Sequence, residues 1–382
     1  MADLLDASDD FPAAPESQPI HGALVLLPCT ELTPTLEFFT RRLGFKVDAI
    51  FPADSPAVAV LSAHGLTVRL QPGDPAAPGR IRLSCDDALA FGEGSTELVA
   101  PNGTVVELVD VSPPLALPPV AQSLMVARLS TDAQWGVGRA GMQYRDIIPG
   151  RQGGRFIGSH IRIATDGPVP DYVHHHKVRF QMIYCYRGWT RLVYEDQGEA
   201  FVLRAGDCVL QPPEIRHRVL ESGDGLEVIE LGCPADHETS ADRLTPLPTG
   251  RVRPERDFGG QRFVRHEVAT ATWHPWRFAG FECRDIGIGA ATAGLAGVRV
   301  VRPTSSEGVD HTPPSTHGAE FVFGFVLEGS MELHVEDEAP FALTAGDTFV
   351  VPAGAVHSFQ QCSPDLELLD VTLPDLVDVL SP

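Results

Sequence analysis

His174-His175-His176-Lys177-Val178-Arg179-Phe180-Gln181, followed by Gly188 and further on by Gly206, Pro212 and His217, is the stretch that decides the fold. Side chains at i and i+2 of a strand share a face, so His174 and His176 can grip one ion together while His175 points away. His217 brings a third imidazole after a turn marked by Gly206-Asp207 and the rigid pair Pro212-Pro213, which precedes the next strand. Two separate segments thus agree in residue type and spacing, which a chance run of histidines does not achieve.

The spacing resembles the two motifs of the cupins: His-x-His, a Glu or Gln, then Gly; and Gly, Pro, then His. The resemblance implies a small β-barrel with His174, His176, Gln181 and His217 as metal ligands. Gln181 stands where most metal-binding cupins carry glutamate, and it either coordinates or stays outside the ligand sphere. Three neutral imidazoles and an amide leave a divalent ion's charge uncompensated, so such a site attracts an anionic, chelating substrate. Glu214 replaces the motif's usual glycine and is expected to alter the turn rather than the ligation.

The pattern recurs. Arg145-Asp146-Ile147 opens a strand pattern leading to the histidine cluster, and Arg284-Asp285-Ile286 opens a matching one leading to His317. Each is followed by a strand ending in glycine (Gly188; Gly329), then by Ala205-Gly206-Asp207 or Ala345-Gly346-Asp347, then by a segment running from Pro212 to His217 or from Pro352 to His357. The chain therefore resembles a bicupin, with barrel 1 over residues 135–233, a linker over 234–280 and barrel 2 over 281–376. The linker mixes prolines and charges with Trp273 and Trp276 and is expected to lie draped over the barrels. In barrel 2, Ser315 and Val322 take the first-histidine and glutamine positions, leaving His317 and His357 as at most a weak second site. His311 or Glu320 would have to rejoin through a bulge to rebuild it. If Val322 follows the ligand frame, Phe321, Phe323 and Phe325 face away from the barrel interior and must be covered.

Residues 20–112 read differently. Thr33-Pro34 starts a helix, Leu36, Phe38-Phe39 and Leu43 recur at helical spacing, Gly44 stops it, and three strands follow up to Gln71. This βαβββ order resembles the glyoxalase and extradiol-dioxygenase (vicinal oxygen chelate) fold, in a degenerate module. His21 and Glu107 fall where that family often places ligands, but two ligands do not make a site, and the segment between Ile81 and Leu98 is short for a second helix-bearing module. The expected fold class is mainly β: two tandem jelly-roll-like barrels preceded by a small α+β domain.

Composition agrees. Of 382 residues 43% are hydrophobic, enough for ordinary cores, and 36 glycines with 33 prolines suit short strands and tight turns. A net charge of −22 argues against nucleic acid and anionic membranes as partners. The acidic opening lacks a signal-peptide pattern, so the expected location is cytoplasmic, with the seven scattered cysteines reduced. Cys185 and Cys208 read as small buried residues.

No nucleophile constellation or phosphate loop is present in the sequence, so metal chemistry leads. The cofactor expected is one divalent transition metal, Fe(II) favoured over Mn, Ni or Zn, acting on a small-molecule substrate. Period two places Arg179 on the inward face beside Gln181 as a substrate clamp, with a structural ion pair as the alternative. The leading expectation is a dioxygenase acting on a small anionic aromatic or enolisable substrate. The alternatives are a cupin isomerase or lyase using the metal as Lewis acid, and a non-catalytic small-molecule-binding bicupin. A homodimer is compatible with each.

Overall fold

The computed structural model describes residues 23–52, 56–73, 78–111, 113–138 and 141–381. They divide into two compact units, residues 7–114 and 115–382. The chain is mainly β, and among the described residues no helix is long and apolar enough to cross a membrane. All seven cysteines are free thiols.

The N-terminal unit starts with the strand Val25–Pro28 and the helix Leu32–Glu37, which continues through a wider turn at Phe38–Arg42 and stops at Gly44 in left-handed backbone. Strands Lys46–Phe51, Val58–Ala63 and Leu66–Gln71 follow, the last parallel to the first. A shortened repeat comes next: Arg80–Cys85, the one-turn helix Ala88–Phe91, then Glu97–Val99 and Val105–Asp110, again with first and last strands parallel. The short 81–98 segment thus does carry a helix. Asp87 caps it by accepting from the Ala90 N–H. One apolar core, including Phe39, Phe45, Leu61, Val68, Leu83 and Leu108, serves both parts. Glu107 is paired with Arg82 across neighbouring strands at 3.0 Å. His21 lies outside the described residues.

The larger unit contains two barrels of like topology. In barrel 1 two long strands, Phe180–Tyr194 and His217–Cys233, run antiparallel over their whole length and bend at register shifts between Cys185 and Trp189 and again after Arg191. The bend lets the same pair serve both sheets. One half is flanked by Cys208–Leu210 and Ile157–Arg162, the other by Phe201–Arg204 and the short strand His174–His176. Gly188, at φ 66°, sits at the bend, where a Cβ would fall 2.5 Å from the Gly223 carbonyl oxygen. In barrel 2 the same path is broken into Phe321–Glu328 and Ser330–Val335, and into His357–Cys362 and Glu367–Leu373, with Gly329 at φ 72° at the first break.

Each barrel is completed by the segment that precedes the other. Met125–Ala127 pairs with Thr348–Val350 of barrel 2, and Val264–His266 pairs with Cys208–Leu210 of barrel 1. Side chains repeat the exchange. Arg145 donates to the Gly346 carbonyl at 2.6 Å and Arg284 to the Gly206 carbonyl at 2.9 Å. The Leu129 N–H donates to Asp347, and the Val268 N–H to Asp207. These are the Arg-Asp-Ile and Ala-Gly-Asp repeats of the sequence, now acting on each other's barrels.

One buried cluster runs across both barrels and joins Phe156, Phe180, Met182 and Leu231 to Val300, Phe321, Phe323, Phe325 and Leu369. Phe321 stacks on Phe156 with ring centroids 4.0 Å apart, so the three aromatics that leave the barrel 2 interior are covered by barrel 1. The linker is held on barrel 1 by ion pairs, with Arg256 on Glu195 and Asp196 and Asp242 on Arg216, and its end packs on barrel 2 through Trp276 and the Arg277–Asp370 pair.

Candidate metal centre

His174 and His176 leave one short strand on the same side, and His174 lies directly opposite His217 on the long strand. The three rings converge: their centroids are 4.2 Å (174 to 217), 5.1 Å (174 to 176) and 5.2 Å (176 to 217) apart. One ring nitrogen from each lies within 4.8 Å of the others. His174 is fully buried and His217 nearly so.

Local backbone sets the tautomers. His174 Nδ1–H donates to the Tyr172 carbonyl at 2.8 Å and His217 Nδ1–H to the Ile215 carbonyl at 3.0 Å. A carbonyl can only accept, so the proton sits on Nδ1 and the lone pair on Nε2. His176 Nδ1 meets the Thr239 hydroxyl at 2.8 Å. Such outer contacts hold metal-ligating imidazoles in orientation. Three converging imidazoles, two of them held through Nδ1 on backbone carbonyls, offer a ligand set that fits a divalent transition ion.

Gln181, 1% exposed, lines the same chamber, and its Nε2 donates to Glu230 Oε1 at 2.6 Å. Tyr194 stacks against His217, and its hydroxyl accepts from Gln211 at 3.0 Å; burial pushes this phenol far up, so it stays protonated. The chamber holds about 960 Å³ and extends between apolar walls that include Met142, Ile161, Leu192 and Val228. Its one lining cation among the described residues is Arg243, at 5.9 Å from the Tyr172 ring. Sequence reasoning missed both Glu230 and Arg243. Glu230 was signalled only as a lone acid in the strand Val228-Ile229-Glu230-Leu231; Arg243 had no signal.

Arg179 does not reach the chamber, contrary to the clamp expected from period two. It lies just before the strand Phe180–Tyr194 and donates to both oxygens of Glu320 in barrel 2, at 2.9 and 3.1 Å. Arg155 binds the same carboxylate at 2.8 Å. Burial pushes Glu320 up, but these two guanidinium groups outweigh it and hold the acid below its ordinary range. Glu320 is therefore an inter-barrel anchor, and His311 is exposed beside Asp310, so neither approaches the second histidine pair.

The weak second site at His317 and His357 is not built for a metal. His317 uses both ring nitrogens on backbone: Nε2 with the Val351 carbonyl at 3.2 Å, and Nδ1 accepting from the Ala319 N–H at 3.2 Å. Ser315 and Val322 line the same space, which holds only about 10 Å³. Burial, with His357 beside it, lowers His317 to about 4.

Residues 305–372 match the family model described as a cupin domain. Among solved structures the chain is similar to the oxalate decarboxylase of Bacillus subtilis at pH 4.6, with 14% identity, 67% of this chain and 78% of that chain covered, and a TM-score of 0.50. A Lactobacillus farciminis oxalate decarboxylase formate complex gives 17% identity, coverage of 69% and 91%, and a TM-score of 0.49. No curated protein sequence matches the chain. The domain match and the two barrels of like topology make this a bicupin fold.

Proposed function

We propose that barrel 1 is a metal-dependent enzyme centre acting on an anionic organic molecule that chelates the ion. The observation that carries this reading is the convergence of His174, His176 and His217, the first and last buried and the second half-buried, with two tautomers fixed by backbone carbonyls at the wall of a large, mostly apolar chamber. When bound, the ion supplies Lewis acidity and, in the case of Fe(II), redox chemistry with O2. The protein's own groups do the rest. Arg243 attracts and orients the anion, the aliphatic walls exclude water from the reacting end, and Gln211 holds the Tyr194 phenol in place as a neutral wall.

A lyase or isomerase reaction without O2 is the first reading, since oxalate decarboxylases share the fold. Oxalate itself is not the substrate we favour. A chamber of about 960 Å³ is the size that holds drug-sized ligands, so the chelating head carries a larger apolar body. The Fe(II) dioxygenase is the second reading, supported by a three-histidine set that leaves positions open for substrate and O2. Protein loaded with Mn(II) or Fe(II) should be given phenolic, diketone and carboxylate substrates under air and under nitrogen, with O2 consumption followed. Equal turnover under nitrogen supports the lyase or isomerase; turnover only with O2 consumption supports the dioxygenase. Binding without turnover across the panel would leave a binding protein.

A further inference from the structure

A fourth histidine stands beside the triad. His237 comes shortly after the long strand His217–Cys233 and lines the chamber, its ring edge-on to that of His176 with centroids 5.5 Å apart. Gly232 makes room for it. Val228 and Glu230 line the chamber from the same strand, and Gly232 continues their face without a side chain, where a Cβ would come 3.6 Å from His237 Cε1. His237 Nδ1–H donates to the Pro234 carbonyl at 2.8 Å, so in the neutral ring the lone pair is on Nε2, as in His174 and His217. Among the described residues no protein group donates to that nitrogen, and the ring is only half-buried. Thr239, Gln181 and Tyr194, which also line the chamber, each already hold a protein partner. His237 is not one of the three rings whose nitrogens lie within 4.8 Å of one another, so it stands beside the ligand set rather than in it.

We propose that His237 Nε2 accepts a hydrogen bond from a hydroxyl group that the substrate carries next to its chelating end. This deepens the metal-centre reading above and rests on it. The ion and Arg243 select for negative charge, whereas His237 selects for a neutral donor beside that charge. The substrate class is thereby narrowed to hydroxylated chelating anions, such as hydroxylated 2-oxo acids. An analogue with hydrogen or methyl in place of the hydroxyl leaves the Nε2 lone pair without a partner once the chamber is filled. An analogue with a charged oxygen there sets two lone pairs against each other. Both are rejected, because a site built to hydrogen-bond a substrate group loses that bond without replacing it.

The test uses the full-length protein loaded with Co(II) and titrated without O2 with pyruvate and with 3-hydroxypyruvate, which share a chelating head and differ by one hydroxyl. Binding is read by calorimetry and by the visible absorption of the ion. The ratio of the two affinities is compared between the wild type and His237→Phe, so that any difference in chelation between the probes cancels. The preference for 3-hydroxypyruvate is expected to be about 3–10-fold greater in the wild type than in the variant, with pyruvate and Co(II) binding unchanged. Should His237→Phe fail to fold, His237→Ala takes its place under the same criterion. An equal ratio in both proteins would overturn the proposal, as would an equal loss of both probes in the variant or a Co(II)-loaded wild type that binds neither. Failure of the wild type to bind Co(II) would instead overturn the metal-centre reading.

Discussion

A histidine can serve as a ligand when one ring nitrogen is held and the other is turned to a common point, and the two barrels hold their histidines differently. In barrel 1 the carbonyls of Tyr172 and Ile215 take the Nδ1 protons. In barrel 2 the backbone takes both nitrogens of His317. Replacing His176 or His217 by alanine should therefore strip most of the transition metal from purified protein, while His357→Ala should leave the content unchanged, as elemental analysis would show. Glu214 carries a separate cost. It holds φ 60° while its N–H donates to the His176 carbonyl, and its counterpart Gly354 makes the same bond to the His317 carbonyl. A side chain in left-handed backbone costs about 1–2 kcal/mol, partly offset by glycine's greater freedom when unfolded, so Glu214→Gly should raise stability by about 0.5–1 kcal/mol in urea denaturation. The triad was legible in the sequence because residue type and spacing are both set by the strand. Arg179 was misread because its acid comes from the other barrel, 141 residues away.

Among the elements, the long bent strands do most to shape the chamber. A Cβ at Gly188 would meet backbone oxygens of the facing turn, which cannot yield, so Gly188→Ala should cost about 2–4 kcal/mol by thermal or urea denaturation. Phe321 is 3% exposed and stacked on Phe156 of barrel 1, so Phe321→Ala should cost about 3–5 kcal/mol, read by thermal or urea denaturation. The two tandem barrels could be read from the repeated Gly, Pro and His punctuation. The second part of the N-terminal unit could not, because a single turn at Ala88–Phe91 is too short to show a helical period.

For the whole molecule, a core shared by both barrels means that neither can lose its packing alone, so residues 115–382 should melt in one calorimetric transition. Glu320 contributes through its two arginines. Its folded value is held below the ordinary carboxylate range, so its stabilisation is complete at neutral pH and is lost as pH falls through that lowered value. Glu320→Gln should lower stability by about 1–3 kcal/mol at neutral pH, and the difference from the wild type should vanish in acid well below about pH 4. Melting temperatures of both proteins across pH would check this.

The exchanged edge strands also bear on the order in which the chain is made. Barrel 1 leaves the ribosome first, yet the strand beside Cys208–Leu210 is supplied by Val264–His266. The earlier arm Met125–Ala127 has no partner until Thr348–Val350 has emerged near the end of translation. During that interval the face of Phe156 that stacks on Phe321 lacks its barrel 2 cover. The nascent chain thus carries an uncovered apolar face and an open sheet edge until roughly the last hundred residues arrive, so truncation before residue 348 is expected to leave an aggregation-prone chain, which expression of such a fragment would check.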